Sequence, residues 1–140
     1  ELRSVIAPDA ARMAALRRDP EELADLLEAA SAIQQEGLEL DELTRVCMVF
    51  WKKLVLASHN LAYRLAFNSL LVTYVSDAGI LRKTIESELR AGGLYLDIAR
   101  AVEAGDSEQA KSKTEALIEI GSQAIFRALD LYEQALEQEG

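Results

Sequence analysis

From end to end, apolar residues recur three and four apart, and only a few short stop signals interrupt that spacing. Side chains so spaced share one face of a helix, whereas a half-buried strand would alternate every second residue. No clean alternation and no internal repeat is present, so the pattern predicts an all-α domain. The stop signals divide it. A first segment, about Leu2 to Arg18, contains Pro8, which marks either a kink or the first turn of a new helix after a short start. Asp19-Pro20-Glu21-Glu22 supplies a cap, a proline for the first helical position and a carboxylate where a capping box needs one. The helix it opens runs to about Gln35, with Leu23, Leu26, Leu27, Ala30 and Ile33 as its apolar stripe, and Glu36-Gly37 ends it.

A third helix is expected from about Asp41 to Ser58, its inward face formed by Leu43, Val46, Cys47, Phe50, Leu54 and Ala57. After the break Ser58-His59-Asn60, Asn60 can cap a fourth helix reaching about Val75. That helix is largely apolar, which places it at the centre of the bundle or at an interface between copies. Ser76-Asp77-Ala78-Gly79 separates it from a fifth, about Leu81 to Ala104, in which Ala91-Gly92-Gly93 allows a kink or the close approach of another backbone. Gly105 then ends a helix, and Asp106 caps the next, about Ser107 to Glu137, with Ala110, Ala116, Leu117, Ala124, Ile125, Ala128 and Leu129 inward. The expected fold is one domain over residues 1–140, an antiparallel bundle of about six or seven helices.

Composition removes several kinds of chemistry. Half of the 140 residues are hydrophobic, enough for a core without a disulfide or metal. Cys47 is the only cysteine and His59 the only histidine, which excludes thiolate clusters and His-rich metal sites. No Ser-His-Asp or Cys-His pairing is visible, and no glutamate lies three before His59 as a di-iron bundle would need. The many carboxylates read as solvated outward faces, so catalysis is not expected. With 15 basic against 24 acidic residues, the net charge of −9 repels a phosphate backbone. No apolar run is long enough to span a bilayer, and the opening residues do not read as a signal peptide.

The stretch Phe50-Trp51-Lys52-Lys53-Leu54-Val55-Leu56-Ala57-Ser58-His59-Asn60 resembles the helix-and-break signature of the FCD family, the ligand-sensing domains of GntR-type transcription regulators. The likeness continues through Tyr63, Leu65, Asn68 and Tyr74, through Ala101-Val102-Glu103-Ala104-Gly105-Asp106 with Ala110, and back to Leu2-Arg3-Ser4 and the alanine-rich Ala10 to Leu16. Within the family it is nearest to the fatty-acid-responsive FadR type. The resemblance implies a winged helix-turn-helix head preceding this domain and absent from the sequence. It also implies a homodimer meeting palindromic DNA only through those heads, a cytoplasmic location and no membrane partner.

Many members of that family hold a divalent metal on one Asp and three His. The matching positions here are Cys47, Trp51, Tyr95 and Leu117. Cys47 and Trp51 are four apart on one helix face. Tyr95 and Leu117 both fall roughly 15 to 18 Å from the turn at Gly105, so they can face each other. Indole, aliphatic carbon, neutral phenol and a single thiol do not make a metal site, so neither metal nor cofactor is expected. They suit a mostly apolar ligand oriented by a few polar atoms, a fatty acid or acyl-CoA by resemblance to the FadR type. The same resemblance assigns ligand contact to Arg3 and Tyr74. At Leu117, Gly121 and Ile125 this chain lacks the Tyr, Ser and Trp that the FadR type turns toward its ligand.

Each of these residues also has a plainer reading. Cys47 and Trp51 serve equally as core, and Tyr95 as a bridge from core to surface. Arg3 reads alone as a solvated terminal arginine, and His59, whose family counterpart is usually glycine, as a solvated turn residue. Asn68, an amide in an apolar stretch, can cap a backbone group, cross-link helices or bind ligand. The competing expectation is a helical interaction or dimerisation bundle with a filled interior and an unpaired Arg3. A sensor instead requires a cavity beside Trp51, Tyr95 and Leu117 with at least one polar anchor.

Overall fold

A computed structural model describes residues 2–76 and 78–140, with the side chains of all of these except residues 73–79. Among the described residues the chain is strand-free and forms eight helices: α1 (Leu2–Arg17), α2 (Pro20–Ile33), α3 (Leu40–Ala57), α4 (Leu61–Ser76), α5 (Ala78–Thr84), α6 (Glu86–Leu89), α7 (Gly92–Glu103) and α8 (Ser107–Glu139). The count exceeds the expected one because the stretch anticipated as a single helix up to Ala104 breaks twice. Ile85 (φ −100°, ψ 18°) and Ala91 (φ −80°, ψ 51°) both leave helical geometry. At the second break, Gln34 Nε2 at the end of α2 donates to Gly92 O at 2.7 Å. A side chain at Gly92 would stand in ordinary contact, 3.4 Å, from that amide.

The caps follow local chemistry. Asp19 Oδ1 accepts from Glu22 N at 2.8 Å, and Glu22 Oε1 accepts from Asp19 N at 3.0 Å, a complete capping box. Asn60 Oδ1 accepts from Tyr63 N, and Asp106 Oδ1 from Gln109 N, both at 3.1 Å. His59 has φ 53°, the left-handed conformation that glycine adopts at no steric cost.

The central helix is α1, so of the two places that α4's apolar composition allowed, the bundle centre or an interface between copies, α4 does not take the first. α1 runs unbroken through Pro8, and Ala10, Ala11 and Ala14 are fully buried. Their small side chains let neighbours approach from several sides. Arg18 reaches Glu103 O at 3.1 Å near the start of α8, while Arg3 lies against Gly121 far along it, so α1 and α8 are antiparallel. α2 is likewise antiparallel to α3, His59 meeting Glu22 at 2.7 Å and Lys53 reaching Asp25 at 3.7 Å. No described side chain of α4 is fully buried, and Leu61, Leu65 and Val72 are exposed. α4 is tied down at its start, where the Tyr63 hydroxyl donates to Asp9 Oδ2 at 2.6 Å.

α8 outlasts the bundle. Its 33 residues extend about 50 Å, and everything from Phe126 onward is exposed. Ala110, Leu117 and Ile118 are buried as expected of an inward face, but Ala116 points outward beside buried Leu117, and Ala128 and Leu129 are exposed because no helix remains there to cover them.

Candidate functional site

Five helices leave a cavity of about 50 Å³ between them. α1 supplies Arg3, Ile6 and Ala7; α3 supplies Cys47, Met48, Trp51 and Val55; α4 supplies Phe67, Leu70 and Leu71. Glu88 and Leu89 come from α6 and Ile118 from α8. The walls are thus hydrocarbon, indole and sulfur, with one charged end. There Arg3 Nη1 donates to Glu88 Oε2 at 2.9 Å while Nη2 donates to Oε1, a two-pronged pairing that fits the planar guanidinium to the carboxylate. Arg3 keeps about a quarter of its side chain exposed, whereas Glu88 is buried.

Burial pushes the Glu88 carboxyl above its ordinary value, and Arg3 opposes that shift without overcoming it. The pair presses against α8 at Gly121. A Cβ there would overlap Glu88 Oε1 and sit 2.9 Å from Arg3 Nη2. Gly121 therefore acts as a gap in the α8 surface into which the carboxylate fits.

Beside the charged end lies an aromatic corner. Tyr95 meets Phe50 edge-on at 5.1 Å between centroids and Trp51 at 5.9 Å. Its ring is wholly buried, and among the described residues its hydroxyl has no hydrogen-bond partner. Burial, then the neighbouring Cys47 and Glu88, drive the phenol well above its ordinary value. The Cys47 thiol donates weakly to Leu89 O at 3.7 Å, and burial pushes it up to about 12, so it stays neutral.

The predicted residues divide. Arg3, Cys47 and Trp51 line the cavity, and Tyr95 stands directly behind Trp51. Leu117 is buried in the same core, but its neighbour Ile118 takes the place in the lining. Gly121 backs the ion pair, and Ile125 is half-buried against the core outside the lining. Asn68 is not buried among apolar neighbours as its surroundings in sequence suggested. It is exposed, in a surface groove between α3 and α4 with Val49, Lys52, Lys53, Leu56 and Arg64. The side chain of Tyr74 lies outside the described residues.

Glu88 was missed. A signal for it exists: it falls three residues after Ile85 and seven after Leu81, in register with apolar positions rather than on a polar face.

The donor set at Cys47, Trp51, Tyr95 and Leu117 does not fit a divalent cation. It offers a thiol held neutral, a phenol held neutral, an indole in an edge-on stack and a hydrocarbon. Asp19, Glu22 and His59 also approach one another, but at the exposed start of α2, where the two acids cap the helix.

No curated protein matches the chain. The FCD domain matches residues 1–119, a span holding α1 through α7, the first part of α8, and every residue named in the cavity lining. The chain belongs to the FCD domain family and is a non-catalytic regulatory domain.

Proposed function

We propose that this is the effector-sensing domain of a GntR-type regulator of the FadR type, taking a largely apolar acid, a fatty acid or acyl-CoA, without a metal. The observation that carries this reading is the apolar cavity with a guanidinium at one end. An interaction bundle with a filled interior and a solvated Arg3 has neither feature. The ligand's chain would lie among Trp51, Val55, Phe67 and Leu71, and its acid group at Arg3, with Tyr95 behind the indole.

At about 50 Å³ the cavity admits only a water or two, so a chain-bearing ligand must move a wall. Among the described residues α4 is the wall with no fully buried side chain; its start is tied by Tyr63 to Asp9 and by Asn60 to Met13, while Phe67, Leu70 and Leu71 line the cavity farther along. Ligand insertion then swings α4 about its N-terminal end. This motion is transmitted to DNA-binding heads attached to the domain, provided the two arrangements bind ligand with different affinity. The heads alone would meet DNA.

The exposed apolar residues of α4 and of the α8 extension, Leu61, Leu65, Leu129, Tyr132 and Leu136, favour a second, compatible role as a homodimer contact. Among the described residues no helix is long and apolar enough to cross a membrane.

Native mass spectrometry of freshly purified protein, followed by denaturation and identification of released mass, tests the ligand class. Release of a fatty acid or acyl-CoA supports the reading. A stoichiometric zinc or nickel ion would overturn its metal-free part.

A further inference from the structure

The charged end of the cavity is already satisfied, and by a group of the same chemistry as the proposed ligand. Glu88 presents both carboxylate oxygens to Arg3 in the two-pronged geometry an incoming carboxylate would use. Helix packing does not demand an acid there, since Leu81, Ile85 and Leu89 carry the apolar register of the segment. Gly121, by lacking a side chain, makes room for this carboxylate in particular. We infer that Glu88 is a built-in stand-in for the ligand's acid group, and that an anionic effector binds by taking Glu88's place on Arg3 while Glu88 accepts a proton from solvent. This rests on the apolar-acid reading above and adds to it a proton-linked switch.

The charges require the exchange. Arg3 and Glu88 together are neutral, so a carboxylate drawn from water gains little from Arg3 while Glu88 remains ionised beside it. Two carboxylates on one guanidinium in an apolar site repel, and one of them takes a proton. Glu88 is the one held in place, fully buried and seated against Gly121.

The groups facing it are Arg3 from α1, Cys47 from α3 and Tyr95 from α7, while α8 presents Gly121. The thiol and phenol are both held neutral through the neutral pH range. Among the described groups facing it, that leaves Glu88 as the one whose charge changes. Removing its charge makes the site one unit more positive whatever else Arg3 touches.

The test uses the full chain, octanoate and its uncharged counterpart 1-octanol, with emission of the single tryptophan, Trp51, as the readout of cavity occupancy. Calorimetry in two buffers of different ionisation enthalpy counts protons. Octanoate should bind with uptake approaching one proton per ligand, its affinity falling toward about tenfold per pH unit as pH rises. Binding of 1-octanol should not respond to pH. Glu88→Gln should bind octanoate about tenfold or more tighter than wild type at pH 8, without uptake. Should that variant not fold by circular dichroism, the wild-type buffer comparison decides alone. Octanoate binding without proton uptake, or unchanged affinity in a folded Glu88→Gln protein, overturns the exchange and leaves the apolar-acid reading standing. Silence from both probes overturns the two together.

Discussion

Gly121→Ala sets two effects of opposite sign against each other. In an exposed helix interior the change would stabilise by up to about 1 kcal/mol through propensity alone. Here the new methyl group would overlap Glu88 Oε1 and lie 3.0 Å from Glu88 Cδ and 2.9 Å from Arg3 Nη2. Glu88 is buried and cannot swing into water without moving α6, so its pairing with Arg3 must loosen. Breaking a buried pair outright costs about 3–5 kcal/mol. A quarter-exposed Arg3 that stays nearby reduces this to roughly 2–4 kcal/mol. The net expectation is a loss of about 1–3 kcal/mol, or roughly 3–9 °C in Tm for a domain of this size.

Urea and thermal unfolding followed by Trp51 emission and circular dichroism would measure it. The decisive comparison repeats the change in a Glu88→Ala background. With the carboxylate gone the methyl has room, and the same substitution should become neutral or stabilising by up to about 1 kcal/mol. Equal losses in both backgrounds, or a Gly121→Ala protein as stable as wild type, would refute the placement of Glu88 against Gly121.

Other perturbations read different parts of the molecule. Cys47 should not react with a disulfide reagent at pH 8 until the protein is denatured, because burial pushes its thiol up to about 12; rapid labelling of native protein would contradict its place in the core. His59→Val should cost about 1–2 kcal/mol, since a β-branched residue is forced to positive φ, whereas His59→Gly should stay within about 1 kcal/mol of wild type by thermal unfolding. Asp19→Ala should cost about 1 kcal/mol through loss of the capping box, measured the same way. The Glu88 carboxyl is raised in the folded state, so the native protein holds more protons there than the unfolded chain does. Its contribution is therefore present below the unfolded carboxylate pKa of about 4.3 and is lost as pH rises through the folded value. Asp9, lowered by Arg12 and then Tyr63, acts oppositely, contributing above the unfolded value and losing it as pH falls. Glu88→Gln should accordingly flatten the decline of stability on the rising side and leave the acid limb in place.

Local chemistry was legible from residue order alone. A capping box, an asparagine cap, a glycine at φ 70° and an aspartate cap after it depend on neighbours a few residues away, and they stand where the spacing put them. The all-helical class was equally legible, as was the shared face of Cys47 and Trp51, an i, i+4 pair on one helix. That Tyr95 joins them followed from the family resemblance, since spacing along the chain relates Tyr95 only to its neighbours across the Gly105 turn. What tertiary structure alone decided was which helix sits at the centre and which charges go inside. α4 is the more apolar helix, yet α1 holds the middle, since alanines admit close neighbours and large side chains do not. Arg3 and Glu88 are 85 residues apart. Arg3 alone resembles a solvated charge, and Glu88, though it falls in an apolar register, becomes a core residue only when a distant cation and a distant glycine are brought to it.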